Sequence, residues 1–340
     1  MNLTHATTLL SPVRKAPSRA RSEGTRLLLF TAALLSAGTT SAQTSEDRGY
    51  VGFTFTRGTE IGSQGDKLEG HLQLEVRPLL PSFTLGQTRL VPLLGFGGQW
   101  IEMQRRGRLL TAPEGKLGGK FQNFQLGLTL VRPVAPRWLL MAGASGSAST
   151  DFTKDFNLGT DASWSAFVMA NYFIGGDPRM TLTLGLASQY PFAIVPIFPL
   201  VGFAYRKEPY ILEVGFPRAS MLMKVGNGFE WGFTGAFDLQ VFRIQPPGNS
   251  PLEGAFFARE TSLRFGPTMN VRMGTDNLWL SSSVGVDFMN DYALLDEDRK
   301  RISSTFSPST KPAPYLRMML SWRPTHPTAS NSRPAGNPAP

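Results

Sequence analysis

A histidine flanked by carboxylates is the arrangement in this sequence that most resembles a chemical site. His71 lies in the segment LEGHLQLEV, where Glu69 and Glu75 recur at alternate positions with it. A histidine oriented by a carboxylate can act as a general base or a metal ligand. The same side chains can equally form a polar ladder inside a pore, balanced by arginines on other strands. We expect no bound metal and no cofactor here.

Covalent lipid chemistry would need a nucleophile close to that histidine. Outer-membrane phospholipases and deacylases place a serine within hydrogen-bond reach of the base. His71 has no serine neighbour in the sequence, although Ser63 or serines from other strands could approach it in space. The segment GKLGGK at 115–120 lacks the spacing of a phosphate-binding loop. We therefore name no catalytic residue and keep His71 as the one candidate.

Charged residues recur at alternate positions in a later segment as well. Glu260, Arg264 and Arg272 share one side of the segment 257–273, and apolar residues such as Leu263 and Phe265 share the other. With Glu69, His71 and Glu75, these side chains are our candidates for the lining of a pore.

The composition excludes several classes of protein. The chain has 340 residues and no cysteine, which rules out disulfides, thiolate metal sites and a lipidated cysteine. Only 17% of the residues are charged, below the roughly 25% of soluble domains, yet the mean hydropathy of -0.12 is too low for a bundle of membrane helices. This combination indicates a protein in which each secondary-structure element has one apolar face and one polar face.

The N-terminal residues 1–42 are predicted to be a cleaved signal peptide. Five basic residues precede the apolar run 27–38, and small residues follow it up to Ala42. The run is short for an anchor helix, which needs roughly 20 apolar residues. Loss of five basic residues and one acidic residue reduces the net charge from +9 to +5. That surplus is small and no nucleic-acid-binding motif is present, so we expect no nucleic-acid partner.

Alternating hydrophobicity dominates the rest of the chain. Runs at 124–130, 138–144, 164–172, 180–186, 229–241, 263–273 and 278–288 place large apolar residues at every second position. Glycine, serine and threonine fill the other face, where a soluble sandwich would carry lysine and glutamate. Aromatic residues near the ends of the runs, including Trp138, Trp164, Tyr190, Trp279 and Tyr315, are typical of membrane-interface girdles.

These patterns predict an all-β fold, a transmembrane antiparallel up-and-down β-barrel of 12 to 14 strands over residues 43–324. Fourteen strands require a turn at FPRAS, residues 216–220, which leaves two short strands; twelve require one bent strand there. Residues 325–340 are rich in proline, serine and asparagine and are predicted to be a disordered tail.

The stretch IVPIFPLVGFAYRKEPYILEVGFPRASMLMKV resembles a family of uncharacterised bacterial outer-membrane β-barrel proteins. The resemblance rests on a proline-containing strand with Gly202, Phe203 and Tyr205, a short turn, and a strand ending in Gly215, Phe216 and Pro217. It implies a barrel in the outer membrane of a Gram-negative bacterium and assigns no catalytic residue.

Three functions are compatible with these features. The first is a passive pore for small solutes, the second a structural barrel closed by its own side chains, and the third a barrel enzyme acting on lipids through His71. In each case we expect outer-membrane lipids, lipopolysaccharide and the barrel-assembly machinery as partners. The basic loop with Arg105, Arg106, Arg108, Lys116 and Lys120 either contacts lipopolysaccharide phosphates or is simply solvated.

Overall fold

A computed structural model describes residues 49–61, 66–104, 119–150, 161–190, 197–243, 257–274, 277–288, 291–298, 300 and 311–323. The predicted signal peptide, the C-terminal tail and the basic loop up to Lys116 lie outside these ranges. No helix in the described ranges is long and apolar enough to cross a membrane.

The described residues form sixteen β-strands and one short 3-10 turn, Ile174–Gly176. The strands are β1 Gly49–Ile61, β2 Asp66–Arg77, β3 Phe83–Leu85, β4 Thr88–Gln104, β5 Gly119–Ala135, β6 Trp138–Thr150, β7 Ala162–Phe173, β8 Met180–Tyr190, β9 Ile197–Tyr205, β10 Tyr210–Gly215, β11 Arg218–Val225, β12 Phe229–Arg243, β13 Phe257–Arg272, β14 Leu278–Asp287, β15 Asp291–Leu295 and β16 Ala313–Trp322.

Fourteen of these strands close into an antiparallel barrel. From β4 to β14, each strand pairs with the next strand in the sequence, including β12 with β13. Beyond β4 the order is β2, β1, β16 and β14, so the pairing of β1 with both β2 and β16 closes the ring. The short β3 is a hairpin on β4, and β15 continues the path of β14 along β13. The predicted all-β barrel of 12 to 14 strands is therefore confirmed.

The barrel has fourteen strands, the upper end of the predicted range, because the chain turns at Phe216 and Pro217. β10 and β11 are separate strands of six and eight residues, paired from Tyr210 with Met223 to Gly215 with Arg218. Their neighbour β12 has fifteen residues and runs on past this turn, where the ring of Phe216 packs on Phe237 with centroids 5.5 Å apart. The barrel wall is therefore short where it is formed by β10 and β11, and we call this part the low wall.

One end of the barrel carries the start of β1, the end of β16 and the tight turns; we call it the inner end. Gly226 and Gly274 lie in two of these turns with φ of 64° and 60°, a region that residues with a β-carbon rarely adopt. In the turn between β7 and β8, Arg179 donates from Nε to Asp177 Oδ1 at 3.0 Å and from Nη2 to Oδ2 at 3.2 Å. These bonds lower the pKa of Asp177 to about 2.

Side chains point alternately out of the barrel and into it. The outward face is apolar and exposed; Leu126, for example, is 67% exposed and Trp164 is 54% exposed. The same face carries Val51, Phe53, Phe55, Leu72, Phe124, Leu128, Val168, Leu184, Leu186, Trp231, Phe233, Phe265, Val284, Leu316 and Leu320. Exposed apolar and buried polar residues invert the pattern of a soluble protein, which means that the outer surface is adapted to lipid.

Two aromatic residues assigned to the girdle from the sequence lie elsewhere. Tyr315 is buried on the inward positions of β16, in register with Thr56 and Gly285. Trp279 is half-buried and lies 4.7 Å beneath the guanidinium of Arg323. Both residues lie at the same alternate positions as the polar residues of their strands. The alternation in the sequence therefore places both side chains inside the barrel.

Candidate functional site

The inward face of the barrel is polar and buried along the described strands. It includes Thr54, Thr56, His71, Gln73, Glu75, Gln99, Gln125, Glu230, Thr234, Asp238, Glu260, Ser262, Arg264, Thr268, Asn270, Ser281, Ser283, Asp287, Arg317 and Ser321. Because the alternation of each strand turns these residues away from lipid, they line one shared interior, which we call the lumen.

Two side-chain contacts span part of the lumen between strands that are not neighbours in the ring. His71 Nδ1 on β2 lies 3.1 Å from Glu260 Oε1 on β13, and β1, β16 and β14 separate these strands in the ring. Gln99 on β4 donates to Gln240 on β12 at 2.6 Å, across five intervening strands. These two bridges narrow the path through the barrel.

Three arginines pair with buried carboxylates on the same side of the barrel. Arg264 Nε lies 3.3 Å from Asp287 Oδ2, and Arg317 Nη2 lies 3.3 Å from Glu75 Oε2. Arg323 Nη1 lies 2.9 Å from Glu230 Oε2, which also accepts from Asn270 at 2.9 Å. A buried charge is costly without a partner, so these pairs allow charges to lie inside the barrel.

The pairs leave part of their hydrogen-bonding capacity unused. Within the described residues, Nε2 of His71, both side-chain amide atoms of Gln73 and the two terminal nitrogens of Arg264 have no hydrogen-bond partner from the protein. In a sealed apolar core this would be strongly destabilising. In a lumen, water can hydrate such groups, so the arrangement favours a hydrated interior.

Neutral side chains line the opposite wall. Ser145 and Ser165 are 2.7 Å apart through their hydroxyl oxygens, as are Ser147 and Ser163, and Thr183 donates to Asn171 at 2.6 Å. Each of these bonds joins adjacent strands rather than crossing the lumen. The strands β6, β7 and β8 contain no charged residue over their described lengths.

The lumen is narrowed further at the outer end. The rings of Phe121 on β5 and Phe242 on β12 are 4.8 Å apart, and Arg243 pairs in parallel register with Thr150 on β6. The same arginine forms an ion pair with Asp161, just before β7. The long upper part of β12 therefore leans across the barrel and touches the opposite wall.

The candidate residues named from the sequence fall into two groups. His71, Glu75, Glu260 and Arg264 are buried on inward positions, and all four take part in the contacts described above. Glu69 is exposed, next to a register shift between Leu68 and Gly70 of β2, and Arg272 is half-buried near the inner end of β13.

Sequence reasoning missed several lumen residues. Arg317 and Asp287 follow the parity of their strands and could have been found by that rule. Gln99 and Gln240 carry no comparable signal, because an amide is unremarkable until the register brings it opposite a partner. No group of three histidine, aspartate or glutamate side chains that could hold a metal occurs within the described ranges.

A closed antiparallel barrel with an apolar outside and a polar inside satisfies every backbone hydrogen bond within lipid. The protein is an integral β-barrel of the outer membrane of a Gram-negative bacterium.

No family model matches the sequence, and no curated protein matches it. Among solved structures, the chain is similar to an outer-membrane channel from Pseudomonas putida F1, with a TM-score of 0.38, 12% identity, and coverage of 83% of this chain and 100% of that one. It is also similar to LpxR from Salmonella typhimurium, with a TM-score of 0.29, 8% identity and coverage of 80% and 99%. For the outer-membrane protease OmpT from Escherichia coli the values are 0.20, 12%, 84% and 100%. Similarities at this level do not indicate a shared activity.

Proposed function

We propose that the protein is a passive channel for small polar solutes across the outer membrane, without catalytic activity. The observation that carries the proposal is the polar inward face, in which several buried donors and acceptors have no hydrogen-bond partner within the described residues. Such a face is suited to a hydrated path and poorly suited to a sealed structural barrel.

The two cross-lumen bridges set the size of solute that fits the proposal. The bridge between His71 and Glu260 spans three intervening strands, and the bridge between Gln99 and Gln240 spans five. A solute can pass only beside them or by displacing them. We therefore propose a narrow pore with low conductance rather than a wide general porin.

Reconstitution into planar lipid bilayers tests the channel. We expect discrete conductance steps from the purified full chain in potassium chloride. We also expect larger steps from the double variant His71→Ala with Gln240→Ala, because it removes one partner of each bridge. The matched control is Ser147→Ala, which removes a hydroxyl that bonds only to the next strand. Silent membranes at high protein load would contradict the proposal.

The alternative is a barrel enzyme acting on lipids through His71. The contact with Glu260 gives this histidine a carboxylate partner, as a general base requires. However, neither ring nitrogen accepts a hydrogen bond from a hydroxyl within the described residues, and the ring is buried in the lumen. Loss of a measurable lipase or deacylase activity in His71→Ala would favour the enzyme over the channel.

We propose lipids, lipopolysaccharide and the barrel-assembly machinery as partners. The exposed apolar outer face supports contact with lipid, and the exposed Lys120, at the outer end of β5, supports contact with lipopolysaccharide phosphates. Co-purification with lipopolysaccharide, and failure of folded protein to accumulate when the assembly machinery is depleted, are the expected results.

A further inference from the structure

We propose that the channel lumen holds a binding site for small oxyanions, carboxylate or phosphate, formed by Tyr50, Arg77, Arg218 and Arg317. The inference rests on the proposed channel function and names its solute class. The four side chains come from β1, β2, β11 and β16, so the site joins walls that lie far apart in the ring.

Two of the four residues are fixed to each other by strand register. Tyr50 and Arg77 are direct partners on β1 and β2, and the guanidinium carbon of Arg77 lies 5.8 Å from the centre of the tyrosine ring. Arg77 also donates from Nη2 to Gln125 at 3.2 Å, which holds its head group over the lumen.

The other two arginines approach from different directions. Arg317 lies on β16 and contacts Glu75 at 3.3 Å. Arg218 begins β11, and the charges of Tyr50, Arg317, Arg77 and Glu75 act on its guanidinium. Of the three arginines, Arg317 is the one in direct contact with Glu75. Arginine is the side chain best suited to bind carboxylate and phosphate in a two-pronged geometry.

The balance of charge distinguishes this cluster from the rest of the lumen. Elsewhere, Asp287 faces Arg264, Glu230 faces Arg323, and Glu260 faces His71, each as a single pair. Among the groups that act on Tyr50 and Arg218, three are arginines and one is a carboxylate, so the local charge is positive. Like charges that are brought together in a narrow, partly dehydrated space attract an anion strongly.

Unused donors at the cluster point to a ligand as well. Arg317 and Tyr50 are each 3% exposed, yet Nε and Nη1 of the arginine and the hydroxyl of the tyrosine have no hydrogen-bond partner within the described residues. An oxyanion would accept from these groups. Glu75 reduces the surplus charge, which lets a bound anion leave again, as conduction requires.

Space for an anion exists beside Arg218. A cavity of about 320 Å³ is lined by this arginine, by the ion pair of Arg206 with Glu213, and by polar side chains of β11, β12 and β13, namely Ser220, Thr234, Thr268 and Asn270. Cavities of small-molecule sites begin at about 300 Å³. The low wall formed by β10 and β11 thus provides room next to Arg218.

Calorimetric titration of the detergent-solubilised full chain tests the site without requiring conductance. Inorganic phosphate and acetate are injected separately, because they distinguish phosphate from carboxylate recognition. We expect the wild type to bind at least one of them and Arg218→Gln to bind about tenfold more weakly, because the variant loses a charge-assisted hydrogen bond to the anion.

Two further variants keep the test decisive. Tyr50→Phe removes one hydroxyl without a change of charge and should weaken binding too. Arg57→Gln is the control, because Arg57 is exposed on an outward position of β1 and should bind like the wild type. Absence of binding to the wild type, or equal weakening by Arg57→Gln and Arg218→Gln, would overturn the site.

Ion selectivity separates this inference from the channel proposal. In a potassium chloride gradient we expect the wild-type channel to prefer chloride, and Arg218→Gln to lose most of that preference. A cation-selective channel would overturn the anion site and leave the channel intact. Silent membranes from a protein that still binds phosphate would overturn the channel and leave the site.

Discussion

The two walls of this barrel pair the polar side chains of its interior with different chemistry. The charged wall, made of β12, β13, β14, β16, β1 and β2, buries arginines and carboxylates. Arg264 pairs with Asp287 on the adjacent strand, whereas the other charged contacts pass over at least one strand of the ring. The hydroxyl wall, made of β6, β7 and β8, carries half-buried serines, threonine and asparagine whose bonds reach only the next strand. The difference teaches that, in the proposed channel, the charged wall would select the solute, whereas the hydroxyl wall would mainly leave room for it.

The largest expected effect comes from breaking a pair on the charged wall. Arg264→Met leaves the carboxylate of Asp287 buried without its cation, which should reduce the free energy of unfolding by about 3–5 kcal/mol. Denaturant unfolding in detergent micelles, followed by tryptophan fluorescence, measures this loss. The double variant Arg264→Met with Asp287→Leu should recover most of it, because it removes both charges. A single variant as stable as the wild type would refute the importance of the pair.

A smaller effect is expected from the hydroxyl wall. Ser147→Ala removes one side of the bond to Ser163 and should reduce the free energy of unfolding by about 1 kcal/mol. The same unfolding experiment checks it, with conductance and ion selectivity expected to stay at wild-type values. A change in selectivity as large as that of Arg218→Gln would remove the functional distinction between the walls.

The smallest effect is expected where the same kind of ion pair lies in water. Asp177→Asn removes the partner of Arg179 in the turn between β7 and β8. The pKa of Asp177 falls from 3.8 to about 2 on folding, so its contribution to stability is present above pH 3.8 and is lost as the pH falls towards 2. The variant should therefore be slightly less stable than the wild type at neutral pH and equal to it near pH 2. A difference that persists at pH 2 would contradict this linkage.

Much of the barrel could be predicted from the sequence because a strand has a period of two. Lipid on one side and a lumen on the other impose that period on residues such as His71 and Glu75 without any knowledge of the ring. The partner of each lumen residue could not be predicted, because it depends on the stagger of strands that are far apart in sequence. The contact between His71 and Glu260 joins positions 189 residues apart and follows from closure of the whole ring.

The short strands show a second limit of the sequence pattern. β10 has only six residues, so its alternation is brief and fits equally well with one bent strand through Pro217. The turn at Phe216 and Pro217 is supported by a bond from the backbone nitrogen of Phe237 to the carbonyl of Pro217, at 2.9 Å. This hydrogen bond comes from β12, the next strand in the ring, and it cannot be predicted from the residues of the turn alone.

The low wall also has a consequence for the surrounding membrane. Six residues of β10 extend about 20 Å along the strand, and a tilt of about 35–45° leaves roughly 15 Å of height against an apolar band of about 25 Å in typical barrels. Lipid chains beside this sector must compress or tilt to avoid exposing either surface to water, whereas chains beside the long strands β4 and β5 need not. We therefore expect the bilayer around the barrel to have an uneven thickness and to be thinnest next to the cavity beside Arg218.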